Sequence, residues 1–369
     1  MIVLIQFENS PLLFRDPVRV ITCRDPSCLF DSFKRIEEAV AGGYYVAGYL
    51  SYEAGYCLEE SLGAHVPGSF PLLQMGVYTG PRVERVPSLP ARPAISLSDI
   101  RLNISYDEYF SDICAIREHI SYGDVYQITY CIKFLFGFRG DPFTLYRLLL
   151  REQPVPYPAY IEADGRYILS LSPEMFINKR ASKIVTKPMK GTWPRGVNVV
   201  SDIIAGIRFK HDGKNRAENV MIADLLRNDL GKVAGKIRVP RLFEIAKYRK
   251  LHQMTSTVTG EMDNRAPFID IFSSLFPSGS VTGAPKIRAM RIIKELENEE
   301  RRIYTGAIGY ITPQRDMFFN VPIRTLLLED GAGEMGVGGG IVWDSTPKGE
   351  WDEGLLKARF LTDYANNMI

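Results

Sequence analysis

The chain predicts an α+β fold, and three observations point there. Strand-like and helix-like stretches alternate irregularly, without the strand–helix–strand rhythm of a doubly wound sheet. Several helical stretches carry their own start and stop signals. No internal repeat or low-complexity tract interrupts the 369 residues, so nothing suggests a solenoid or a disordered tail.

The elements follow in chain order. The opening MIVLIQFENS has five apolar residues before Gln6 and Glu8 and no basic start, so it reads as a first strand and not a signal peptide. Residues 18–22 read as a strand. Residues 31–41 place Phe33, Ile36 and Val40 at helical spacing and stop at Gly42-Gly43. Residues 44–52 are strand-like. Residues 81–98 hold four prolines and no periodicity, and they mark the boundary between an N-terminal part (1–98) packing on the core and a catalytic part (99–369), within one intertwined body.

Ser105 and Glu108 form a capping box ahead of Tyr109, Ile113, Ile116 and Ile120 on one helical face. A strand is expected over 127–138, a helix over 142–153, and a hairpin around Asp164-Gly165. Residues 175–192 are strand-rich. Helices are expected over 216–230, closed by Gly231, over 285–297, and over 350–366. From Tyr304 onward strands return, with Gly338-Gly339-Gly340 expected in a turn.

Composition excludes several classes. With 45 Lys+Arg against 43 Asp+Glu the net charge is +2 and no basic stripe appears, so nucleic acid is not an expected partner. No apolar run approaches the roughly 18 residues of a membrane span, so no membrane is expected. The five cysteines form no CxxC pair and have no His at ligand spacing. They read as free thiols in a reducing compartment, which makes a cytoplasmic protein the expectation.

Four stretches carry candidate chemistry. Lys190, in Pro188-Met189-Lys190-Gly191-Thr192, sits on a bent strand end. Burial there would lower its pKa and make the amine nucleophilic, and Glu174 nearby is a candidate general acid. The plain alternative is a surface lysine and a solvated glutamate. Glu218 lies beside Met221 and Ile222 and needs a cation, unless it is only a first-turn acid of its helix. The small-residue run from Pro277 to Lys286 feeds a helix N-terminus suited to an anion, and Lys286 is an unfavourable cation in that first turn. Arg324 after an apolar strand suits a carboxylate, and Gly338-Gly339-Gly340 allows close backbone approach to a ligand. Glu350 and Glu353, three apart on one helix face, repel unless a hard cation such as Mg²⁺ lies between them, although Lys357 four residues on permits a solvated turn. Together these describe a pocket for a small anion.

The segments P-M-K-G-T, R-A-E-N-V-M-I-A-D-L-L-R-N-D, S-G-S-V-T-G-A-P-K, I-R-T and G-G-G-I-V-W-D-S, in this order, resemble the chorismate-binding enzymes. That family includes anthranilate, aminodeoxychorismate, isochorismate and salicylate synthases. The resemblance runs from about Ser105 to Phe360, and more weakly through G-Y-L-S-Y-E-A at Gly48. It implies two orthogonal antiparallel sheets forming a sandwich flanked by helices. It implies Glu218 and Glu353 as direct Mg²⁺ ligands and Glu350 as an outer acid. The companion acid of some relatives is Asn215 here. Tyr304, Arg324 and the three glycines are similar to the groups that hold chorismate's carboxylates, Thr192 and His252 match pocket positions, and Lys286 has a supporting role.

Two positions bear on specificity within the resemblance. Isochorismate and salicylate synthases carry a Lys base where this chain has Gln127, and anthranilate synthases usually carry Ala where it has Lys190. Lys190 resembles the aminodeoxychorismate synthases, which aminate chorismate at C4 with ammonia from a glutamine amidotransferase subunit. Anthranilate synthase component I is the alternative, and a binding protein without catalysis a further one. The early Phe7-Glu8-Asn9-Ser10-Pro11 departs from the Leu-Glu-Ser with which many anthranilate synthases bind tryptophan.

Overall fold

A computed structural model describes residues 1–63, 68–82, 94–247 and 251–366; the 83–93 stretch of the expected linker lies outside them. Two antiparallel sheets form the body. The first runs β15 (Gly283–Ala284), β7 (Gln127–Arg139), β19 (Ala332–Ile341), β18 (Thr325–Glu329), β9 (Arg166–Ser172), β8 (Tyr157–Ala163), β1 (Ile2–Ile5), β2 (Leu12–Phe14), with β6 (Ser96–Leu102) also on β7. The second runs β12 (Met189–Pro194), β14 (Leu251–Glu261), β11 (Lys183–Lys187), β10 (Met175–Arg180), β17 (Met317–Asn320), β16 (Ala307–Ile311), β4 (Tyr45–Leu50), β5 (Leu73–Tyr78), β3 (Arg19–Cys23), with β13 (Gly235–Lys247) on β14. The helices are α1 (Leu29–Ala41), α2 (Ala54–Cys57), α3 (Tyr106–Ser121), α4 (Pro142–Glu152), α5 (Val199–His211), α6 (Gly213–Leu230), α7 (Phe268–Leu275), α8 (Lys286–Leu296) and α9 (Pro347–Asn366).

Three apolar clusters arrange these as layers. Val3, Tyr49, Ile161, Ile168, Ile308 and Leu327, from strands of both sheets, fill the space between them. On the outer side of the first sheet, alternate residues of β7 from Ile128 to Phe138 meet α3, α4, α8 and α9. The outer side of the second meets α1, α6 and α7, with Phe33, Leu226 and Phe272 at the contact. Strands from the first 98 residues are woven into both sheets: β1 pairs with β8, and β4 with β16.

The local signals work as elementary chemistry dictates. Ser105 N donates to Glu108 Oε2 at 2.7 Å, closing the capping box that starts α3. Helix α6 begins at Gly213, three residues before the expected 216, because Asp212 accepts from the backbone N of Asn215 at 2.9 Å. The three glycines 338–340 lie inside β19 and not in a turn. There they pair with Cys131, Tyr130 and Thr129 of β7.

Candidate active site

A cavity of about 310 Å³ opens where β12, β14, β19, α6 and α9 converge with the 277–285 loop. Its wall carries Lys190, Lys214, Arg324 and Lys357 against Glu174, Glu218, Glu350 and Glu353, so four basic side chains face four acidic ones.

Lys190 reaches the cavity because β12 breaks register against β14 between Lys190 and Thr192. Gly191 sits there at φ +80, and a Cβ on it would meet Asn215 Oδ1 at 2.3 Å, so both backbone angle and space call for glycine. Enclosure by protein pushes the Lys190 amine below the usual lysine range, while Glu218 and Glu174 partly hold it up. Glu174, 3% exposed between β9 and β10, accepts from Ser280 Oγ at 2.5 Å. Burial pushes its carboxyl up to about 7, against the Ser280 hydrogen bond and the Lys190 charge. A lysine shifted down and an acid shifted up thus share one cavity, a pattern that marks candidate catalytic groups.

The glycines of β19 give room for these groups. A Cβ on Gly340 would lie 3.1 Å from Lys190 Nζ and 2.5 Å from Gln127 Nε2; one on Gly339 would lie 2.8 Å from Glu350 Oε2. Gly336 lies against the buried ring of Tyr304, and Arg324 reaches the same cavity from the residue before β18.

Burial first, and then the neighbouring glutamates, hold the Glu218 and Glu350 carboxyls above the usual range. Glu353 stays below it, because Lys357 Nζ stands 2.9 Å from its Oε1. The same ammonium donates to Gly338 O at 2.7 Å. Among the described residues, no three His, Cys, Asp or Glu side chains are grouped closely enough to hold a metal ion as placed. The three glutamates face one cavity, but they must turn to converge on an ion.

Of the residues singled out in the sequence, Lys190, Glu174, Tyr304, Arg324, the three glycines, Glu218, Glu350 and Glu353 all line this cavity. His252 and Lys286 do not. Side chains alternate along β14, so Gln253 faces the cavity while His252 turns away and bonds Asp202 Oδ1 at 2.9 Å. Lys286 sits 2.6 Å from the buried Asp229 Oδ2 and donates to Leu275 O at 3.2 Å, tying α8 to α6 and α7. Its cation is tolerated at a helix start because Asp229 neutralises it. The Thr192 side chain lies outside the described residues. The sequence reading missed Lys214, Gln253 and Ser280. Lys214 had a readable signal, since it lies four residues before Glu218 on the same face of α6.

A two-sheet sandwich holding an amine, a raised carboxylic acid and paired charges in one cavity defines an enzyme acting on a small anion. Residues 15–363 match the chorismate binding enzyme family, and the chain belongs to it. It is 40% identical to aminodeoxychorismate synthase component 1 of Klebsiella aerogenes, over 69% of this chain and 56% of that protein. It is 38% identical to anthranilate synthase component 1 of Aquifex aeolicus, over 71% of this chain and 53% of that protein. The match thus spans little more than half the length of these curated relatives. The crystal structure of anthranilate synthase component I from Streptococcus pneumoniae superposes with a TM-score of 0.81 at 25% identity, covering 97% of this chain and 92% of that one. The menaquinone-specific isochorismate synthase of Escherichia coli superposes at 0.79 over 99% and 88%, and at 16% identity speaks for the fold alone.

Proposed function

We propose that this chain replaces the C4 hydroxyl of chorismate by an amino group, giving 4-amino-4-deoxychorismate for p-aminobenzoate and folate synthesis. The observation that carries this is Lys190, an amine of lowered pKa beside an acid of raised pKa. Lys190 attacks C2, both ring double bonds shift, and the hydroxyl leaves C4 as water with the Glu174 proton. Ammonia then attacks C4 and displaces the lysine. Arg324, Lys357 and the Gly338–Gly340 amides of β19 bind the two carboxylates, since all of these residues line the cavity.

Glu218, Glu353 and Glu350 suit Mg²⁺. Their mutual repulsion asks for a cation, and all-oxygen donors fit a hard ion. Mg²⁺ bound there would fix and polarise the substrate's ring carboxylate. Ammonia is supplied by a glutamine amidotransferase subunit. Burial pushes the thiols of Cys57 and Cys131 up to about 12, so neither offers a thiolate for glutaminase chemistry.

The test mixes protein, chorismate, Mg²⁺ and ammonium and identifies the product by mass and absorbance, with Lys190→Ala alongside. Aminodeoxychorismate from the wild type and its loss in the variant support the reading. Anthranilate from the wild type favours the second reading, anthranilate synthase component I, which the similar identity to such enzymes keeps in view.

A further inference from the structure

We propose that Ser280, backed by Ser278, positions the proton of Glu174: its hydroxyl holds one carboxyl oxygen, leaves the proton on the other, and steadies the carboxylate once that proton has gone to the C4 oxygen. The inference rests on the acid role given to Glu174 above. Ser280 Oγ donates to Glu174 Oε1 at 2.5 Å, and Ser278 Oγ stands 2.9 Å from Ser280 Oγ. Both serines are 3% exposed, and Ser280 shares the cavity wall with Glu174 and Lys190.

The bond directions follow from counting hydrogens. A hydroxyl has one hydrogen to give. Ser280 gives its hydrogen to Glu174, so the hydrogen between the two serines belongs to Ser278, and the chain runs from Ser278 to Ser280 to Glu174. An Oε1 that accepts this bond carries no proton, so the acidic hydrogen of the neutral carboxyl lies on Oε2. The surrounding backbone fixes the arrangement. Thr129 N donates to Thr282 O at 2.7 Å, Arg301 Nη1 to Val281 O at 2.9 Å, and Thr282 Oγ1 to Ser278 O at 3.1 Å. Glu174 N donates to Ser172 Oγ at 3.1 Å, which pins the acid's own backbone. Gly279 lets the serine loop approach, since a Cβ there would meet Leu225 of α6 at 2.6 Å.

The Ser280 bond is stronger after proton transfer than before. As Lys190 attacks C2, the C4–O bond breaks with its electron pair on oxygen, the Oε2 proton joins that oxygen, and water leaves. Glu174 is then a buried anion. A hydrogen bond to an anion is about twice as strong as one to a neutral group, and Ser278 polarises the Ser280 hydroxyl further. An interaction that tightens as charge develops lowers the barrier.

The pH profile of kcat/KM, with ammonium as nitrogen source, reads this role. Glu174→Gln identifies the alkaline limb by removing it. Ser280→Ala takes a donor from the carboxylate, so it should move that limb up by about one pH unit and lower kcat about tenfold or more. Ser278→Ala should move the limb the same way by less. Ser280→Thr keeps the hydroxyl and should restore both limb and rate. Lys190 of β12 is the charged group acting on Glu174; Lys214 and Glu218 of α6, Arg324 before β18, and Glu350, Glu353 and Lys357 of α9 share the cavity, and all remain in these variants. A rate loss in Ser280→Ala with the limb unmoved or moved down overturns the proposal, because a packing defect alone would do that. If Ser280→Ala does not fold, Ser278→Ala decides, and an unmoved limb there overturns it equally. The C4 hydroxyl leaves whether ammonia ends on C4 or on C2, so anthranilate as product sinks the amination reading and leaves this test standing.

Discussion

In the proposed amination, Lys190 and Glu174 work only in the less common charge state of each. The reaction needs a neutral amine and a protonated acid. The pH profile of kcat/KM should therefore fall on the acid side as Lys190 takes a proton, and on the alkaline side as Glu174 ionises near 7. Glu174→Gln should lose the alkaline limb, with a drop of roughly 10²–10⁴ in rate. Stability should register the same carboxyl. Its pKa is about 7 folded against 4.5 in an exposed chain, so the folded state binds that proton more tightly. Stability from this group is present below pH 4.5 and lost as pH rises to 7, a cost on the order of 3 kcal/mol. Urea unfolding should show Glu174→Gln gaining on the wild type at pH 8 and not at pH 4. Glu218→Gln and Glu353→Gln should each weaken Mg²⁺ binding by ~10-fold or more, read by calorimetry without substrate.

At the scale of elements, the polar clamps that hold helices are distinct from the cavity groups. The Lys286–Asp229 pair joins α8 to α6, with side chains 12% and 3% exposed. Lys286→Ala leaves the buried Asp229 with only the more exposed Lys232, 2.9 Å from its Oδ1, and should cost about 1.5–3 kcal/mol by denaturant titration, with the chorismate KM unmoved. Asp202 binds Arg195 through both carboxylate oxygens, at 2.5 and 2.7 Å, and also His252. Asp202→Ala should raise amide exchange in Val199–His211 first. The strand and helix signals of α1, α3, α4 and α9 were legible because burial lies on one face and caps are local. Helix α5 was not: Val199, Val200, Ile203, Ile204 and Ile207 are exposed, so no polar outer face set off an apolar inner one.

The whole molecule explains why residues 1–98 cannot be treated as an appendage. Strand β1 lies between β8 and β2, and β4 between β16 and β5. A 99–369 fragment would expose unpaired edges in both sheets, and it should fail to show a cooperative melting transition. Under the proposed reading, the chain alone should aminate with ammonium and not with glutamine. Added glutaminase of the aminodeoxychorismate or anthranilate type should restore glutamine use.

The amino-acid sequence by itself determined the mixed fold, most element positions and the cavity's carboxylates, glycines, Arg324 and Lys190. Those rest on local signals: caps, apolar spacing and motif order along one chain. Tertiary structure decided which neighbour on a strand faces inward. His252 and Gln253 differ by one residue, and only the register of β14 against β12, shifted at Gly191, sets Gln253 in the cavity wall and the imidazole toward Asp202. It also decided that Lys286 meets Asp229, 57 positions away, and not a ligand. Pairings across such separations depend on how sheets and helices pack, which no local pattern encodes.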